Sequence, residues 1–291
     1  MQKRLHDVAF PLLVAAAEWC PFEREPTYGF LLREEEIPQS QRGEGAGRSV
    51  SVAYVHPRLP AASAGLRPGD QVISVNERAV TGIRAEEVSQ WIRRMTVARI
   101  RPLQLEVGRK GGRQIFNLWA VPACQFSVQL LEADQINGIA DGTHVGVTTG
   151  AMRFLRSDDE LAWVLAHEIA HNVLSHVQNA RLRAMLNAFL GVTAGASATV
   201  PPAVPQRSLE AQADYIGSYI MARAGYDLQA IRQVWHRMER QQSQQASTSP
   251  GVVVTHPTTA ERLAAFEVTL KEIEEKRDRG ELLQPVLDNT E

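Results

Sequence analysis

The chain has 291 residues, 44% of them hydrophobic and 22% charged, with a formal net charge of −2. That length suits about two domains, and the composition is that of a globular protein rather than a disordered or fibrous one. The near-neutral balance offers no basic surface for nucleic acid, and no apolar run approaches the roughly 20 residues that a membrane-spanning helix needs.

The first stretch, "MQKRLHDVAFPLLVAAAEWC", starts basic and turns apolar as an export signal does, but Asp7, Pro11 and Glu18 interrupt it. It fits equally well an amphipathic helix burying Leu5, Val8, Leu12, Ala16 and Trp19. The chain holds two cysteines, Cys20 and Cys124. They are either separate buried thiols or one disulfide, closing a loop of roughly a hundred residues and pinning the N-terminal helix to the start of a later domain. A disulfide would require an oxidising compartment.

Strand and turn signals follow. "TYGFLL" (27–32), "SVSVAYV" (49–55) and "PAASAGLRPGDQVISVNERAV" (60–80) precede a helix near 84–96. "PLQLEVGRKGGRQIFNLWAV" (102–121) is a hairpin, two alternating runs around a Lys-Gly-Gly turn. Together they predict a small, partly open β-barrel. The run from Ala61 through Gly65-Leu66 and Gly69-Asp70 to Val75-Asn76 resembles the core of a PDZ domain. That resemblance implies a peptide ligand bound by its C-terminus. "YGFLL" would be the carboxylate-binding loop, with the amides of Gly29 and Phe30 facing the ligand, since successive amides form an anion-binding nest. The plainer reading is a structural spacer.

The second half reads as mainly helical. "THVGVTTGAM" (143–152) alternates Val145 and Val147 with polar neighbours and predicts a half-exposed strand. "SDDE" (157–160) is a capping box, opening a helix expected to run to about Gln178. Residues 184–206 carry no charge but are broken by Gly191, Gly195 and three prolines, so they predict a mobile or interfacial segment able to touch a membrane surface. Further helices are expected over about 207–224 and over "LQAIRQVWHRMERQQ". "SQQASTSPG" reads as a flexible link, and "TTAERLAAFEVTLKEIEEKRDR" as a final amphipathic helix.

The chemistry is concentrated in "LAWVLAHEIAH" (161–171). Residues four apart lie on one helix face, so His167 and His171 can aim at one ion. Glu168 sits about 100° round the helix, where a general base belongs. Zinc suits two imidazoles and a carboxylate, and makes water acidic enough to react near neutral pH. "SLEAQADYIG" (208–217) supplies the carboxylate. Glu210 would be the third ligand, and Asp214, one turn on, would orient a ligating imidazole. The plainer alternative is a solvated acidic face.

"HEIAH" with "EAQAD", the run "NGIADGTHVGVTTGAMRFLRSDDELAWVLAHEIAHNVLSH", and "THPTTAERL" (255–263) together resemble the gluzincin metallopeptidases of the HtpX and CAAX-prenyl-protease family. Gly138 departs from that pattern, where alanine is commoner, and is expected to alter only packing on its strand. The resemblance places His256 over the metal, either stabilising the oxyanion or blocking the open position in a closed state. It places Arg262 in support of Glu210 and Asp214.

The resulting expectation is an α+β chain. A helix over 1–27 packs on the catalytic domain, 28–121 form a PDZ-like domain, and 122–291 form a zinc metallopeptidase holding one zinc per chain. Protein or peptide substrates would pair with an edge strand through Thr143, Val145 and Val147. The PDZ-like part would recruit or gate them. The alternative is a non-cleaving, chaperone-like binder with a closed metal site. The compartment is expected to be periplasmic or cell-envelope associated, with the cytoplasm as the alternative.

Overall fold

A computed structural model of the chain describes residues 1–20, 26–36, 48–97, 102–110, 112–174, 206–248 and 260–286. It divides into two compact units, one made of Met1–Trp19 with Phe126–Glu291 and the other of Cys20–Gln125. The architecture is α+β.

In the unit of residues 20–125, five strands lie in the antiparallel order β1-β2-β3-β5-β6. They are β1 (Phe30–Glu36), β2 (Arg48–Val55), β3 (Gln71–Val75), β5 (Leu103–Arg109) and β6 (Gly112–Leu118), while β4 (Arg78–Ala79) pairs with β3. Between them come the short α2 (Pro60–Ser63) and the longer α3 (Ala85–Val97). Val50, Val52, Leu105 and Val107 alternate inward along their strands, and Val88 and Ile92 of α3 close over them. β1 is an edge strand, with α3 packed beside it.

The two ends of this unit are tied together. Cys20 and Cys124 form a disulfide with Cα atoms 5.7 Å apart. Thr27 and Val121 exchange both backbone hydrogen bonds, at 2.7 and 2.9 Å. Both cysteines belong to this unit, so the bond joins its beginning to its end.

In the other unit, α1 (Gln2–Ala15) buries Leu5, Val8 and Leu12 as its amphipathic pattern predicts, with Pro11 accommodated inside it. A three-stranded sheet has the order β7-β9-β8, from β7 (Ser127–Leu131), β8 (Gly138–Ala140) and β9 (His144–Thr148). β9 runs parallel to β7 and antiparallel to β8. The short α4 (Thr149–Phe154) leads to α5 (Asp158–Val173). After it come α6 (Gln206–Ala224), α7 (Gln229–Thr248) and α8 (Ala260–Asp278).

Two expectations about β9 are corrected. It is the central strand, paired on both sides, not a half-exposed edge, and the carbonyl of Thr143 just before it accepts from Ser127 of β7 at 3.0 Å. Val145 and Val147 are fully buried. The alternation in sequence was one of residue type and not of exposure. Gly146 is covered by Leu131, and the Thr148 hydroxyl donates to Gln135 O at 2.5 Å and accepts from Ala151 N at 3.0 Å. Among the described residues β8 pairs on one side only, and it packs against α5.

α5 is the central element. Ser157 caps it by accepting from Glu160 N at 3.2 Å, and the Glu160 carboxylate accepts from Arg156 N at 2.6 Å. Leu161, Leu165, Ala166, Ile169 and Ala170 are fully buried, as α1, α6, α7, β8 and β9 all pack on this helix. It is described to Val173 with Leu174 as C-cap, and the predicted continuation to Gln178 lies outside the described residues. α7 continues to Thr248, so the first part of the predicted link "SQQASTSPG" is helical.

Candidate metal centre

His167 and His171 stand one turn apart on α5, and Glu210 lies near the start of α6, which packs along α5. All three are buried. The two imidazole Nε2 atoms face each other at 3.1 Å, and Glu210 completes a triangle, with Oε2 3.4 Å from His167 Nε2 and Oε1 3.4 Å from His171 Nε2. Donors held about 2.0–2.1 Å from one tetrahedral ion stand roughly 3.3–3.4 Å apart. The triangle therefore has the dimensions of a metal site. Among the described residues it is the one such group of His, Cys, Asp or Glu.

Around this triangle lies a charged support. Asp214, one turn beyond Glu210, places Oδ1 3.0 Å from His167 Nδ1. Arg262 of α8 grips Asp214 in two-pronged fashion, Nε to Oδ2 at 2.6 Å and Nη2 to Oδ1 at 2.7 Å, and its Nη1 lies 3.2 Å from Glu210 Oε2. Trp163 packs on the His167 ring with centroids 5.7 Å apart, and Trp235 and Phe266 extend the aromatic layer. Burial works to lower the His167 pKa, but Asp214 and Glu210 outweigh it and push it up to about 9. For Asp214, burial is outweighed by Arg262 and His167, and its carboxyl is held below the usual range.

Glu168 is buried beside the triangle, beneath β8. The contact is close. A Cβ added at Gly138 would stand 2.6 Å from Glu168 Oε1 and 3.0 Å from Val164 Cγ1. The Gly138 departure therefore bears directly on the glutamate and not only on strand packing, which corrects that expectation. Gly217 has a similar role between the helices, since a Cβ there would meet His167 N at 3.1 Å and Ala166 O at 3.2 Å.

Peptidase family M48 is the family whose model matches residues 103–269, more than half of the chain. The chain belongs to peptidase family M48. A PDZ-domain model matches residues 27–107 of this M48 member, the region of the β1–β5 sheet. Mitochondrial metalloendopeptidase OMA1 of Schizosaccharomyces pombe is 32% identical over 75 residues, which is 26% of this chain and 22% of that protein. This M48 chain thus matches less than a quarter of the length of that curated relative. The crystal structure of the HtrA3 PDZ domain bound to a phage-derived ligand aligns at a TM-score of 0.25 and 25% identity, covering 34% of this chain and 86% of that one.

The remaining candidates divide as follows. His256 lies outside the described residues, as does nearly all of the segment 184–206. At the predicted carboxylate loop, Gly29 has φ +80° and no room for a Cβ, which would stand 2.3 Å from that of Leu59. Its amide donates to Thr27 Oγ1 at 3.2 Å. Phe30 begins β1, opposite Val55. Sequence reasoning missed Asn172, a buried side chain next to His171 that bonds the β8–β9 turn. Only its neighbour's motif could have drawn attention to it.

Proposed function

We propose that the chain is a zinc-dependent endopeptidase of the HtpX and CAAX-protease type within family M48, with its PDZ domain recruiting or gating protein substrates. The observation that carries this reading is the triangle of His167, His171 and Glu210 with Glu168 alongside. One zinc per chain would be held by those three residues. When bound there, it would act as a Lewis acid toward the scissile carbonyl and toward water.

The chain's own groups do the rest. An extended peptide would add to the open edge of β8, its backbone groups bonded to those of Gly138–Ala140. Glu168 takes a proton from the attacking water and delivers it to the leaving amine. Asp214 holds His167 with Nε2 toward His171 and Glu210, where it would bind the ion, and Arg262 balances the charge of the two carboxylates. His256 is proposed, from the family resemblance, to stabilise the oxyanion. The groove between β1 and α3 would take the C-terminal segment of a peptide by strand addition.

The Cys20–Cys124 disulfide supports a periplasmic or cell-envelope location, because such bonds persist in oxidising compartments. Among the described residues no helix is long and apolar enough to cross a membrane. Peripheral contact through 184–206 is proposed from its composition alone.

The test is cleavage of casein and of extended fluorogenic peptides by the zinc-loaded chain. Activity that disappears with a chelator, returns with zinc and is absent from Glu168→Gln supports the assignment. Equal turnover by Glu168→Gln would dismiss it and favour a binding role.

A further inference from the structure

The edge strand proposed to hold substrate is only three residues long, Gly138–Ala140. So short a strand needs its height and register over α5 fixed by something else. At one end the fixing contact is Gly138, seated on Val164 and Glu168. At the other end is the turn into β9, and there a side chain of α5 acts. Asn172, 1% exposed, accepts from Gly142 N through Oδ1 at 2.7 Å and donates through Nδ2 to His144 O at 2.9 Å.

The turn is also braced from within. Asp141 accepts from Thr143 N at 2.8 Å and from His144 N at 2.7 Å. These bonds tie the turn to itself, and Asn172 is the peg that joins it to α5. The peg follows His171 directly in sequence, so the stretch of α5 from Glu168 to Asn172 carries a proposed ligand, the proposed base and the fastening of the substrate edge.

We infer that Asn172 is a positioning residue for substrate: it holds the β8 edge at the height over Glu168 at which a paired peptide presents its carbonyl. This rests on the endopeptidase reading above. The side-chain hydrogen bonds of Asn172 go to Gly142 N and His144 O, so its effect runs through the turn and β8. Loss of the peg lets the turn lift from α5, which weakens strand pairing while leaving the metal triangle and Glu168 in place.

The experiment compares the zinc-loaded full chain with Asn172→Ala and Asn172→Asp, measuring KM and kcat separately on an extended fluorogenic peptide, with zinc content for each. Asn172→Ala is expected to raise KM about tenfold, as loss of two buried hydrogen bonds at a docking edge would. Its kcat should stay within about threefold, with zinc content unchanged. Asn172→Asp keeps the acceptor for Gly142 N but sets an acceptor against His144 O, so its KM should also rise. An unchanged KM in both variants, or loss of zinc and kcat together without a rise in KM, would overturn the inference and leave Asn172 as mere support for His171. Should Asn172→Ala fail to fold, Asn172→Asp decides on the same terms. Glu168→Gln run alongside separates the two readings, because full activity there defeats the endopeptidase assignment whatever Asn172 does.

Discussion

His167 faces two carboxylates at once, Asp214 from its Nδ1 side and Glu210 from its Nε2 side. In the metal-free protein this favours the protonated ring. The folded value near 9 lies above the ordinary 6.5, so the folded state binds more protons between those two pH values. The sign is then fixed: this group's stabilisation is complete below about pH 6.5 and is lost as pH rises through about 9. The metal-stripped protein should show a Tm contribution that declines over that window, read by thermal melts against His167→Gln. Zinc must displace the same proton, so its affinity in a chelator competition should weaken as pH falls across the window. A flat profile would contradict the shared site. For Glu168→Gln the expectation is retained zinc and a loss of roughly 10²–10⁴-fold in turnover. That His167 and His171 share a face with Glu168 beside them was legible in sequence because four-residue spacing on a helix is fixed geometry. Gly138 and Asn172 were not, as each acts through a neighbour brought in by tertiary packing.

At the scale of elements, the site is made where α6 crosses α5, and Gly217 sets how close the two helices come. Gly217→Ala would press a methyl on the α5 backbone at His167. Overpacking of this kind costs about 1–3 kcal/mol, and here it also draws Glu210 away from the imidazoles. A lowered Tm with weaker zinc binding is the expected pair of results, and weaker zinc without loss of fold would be the sharper form. Arg262→Leu should be more damaging, since it leaves Asp214 and Glu210 buried without their cation. The helices were readable from their apolar period and the Ser157 cap. β9 was misread because Gly146 and Thr148 count as polar in sequence although both are covered. Pairing partners, which decide whether a strand is an edge, are not written in the strand itself.

For the whole molecule, the PDZ unit is an insertion between α1 and β7, and its two ends are fastened by Cys20–Cys124 and by the Thr27–Val121 bridge. Removing the bond with Cys20→Ser and Cys124→Ser should destabilise that unit by about 2–5 kcal/mol, seen as an earlier melting step, while zinc content stays unchanged. The sequence reading ended the strand-rich region with the hairpin at residue 121, a few residues from the division at Gln125, and the Cys pairing was left open because spacing alone cannot choose between thiols and a disulfide. The central claim concerns the other unit: α5 and α6 bring two imidazoles and one carboxylate to a single cation. Anomalous diffraction at the zinc edge from crystals of the zinc-loaded protein tests it most directly. The account predicts one strong peak within bonding distance of His167 Nε2, His171 Nε2 and a Glu210 carboxylate oxygen. No peak there, or a peak with Glu210 out of reach, would contradict it.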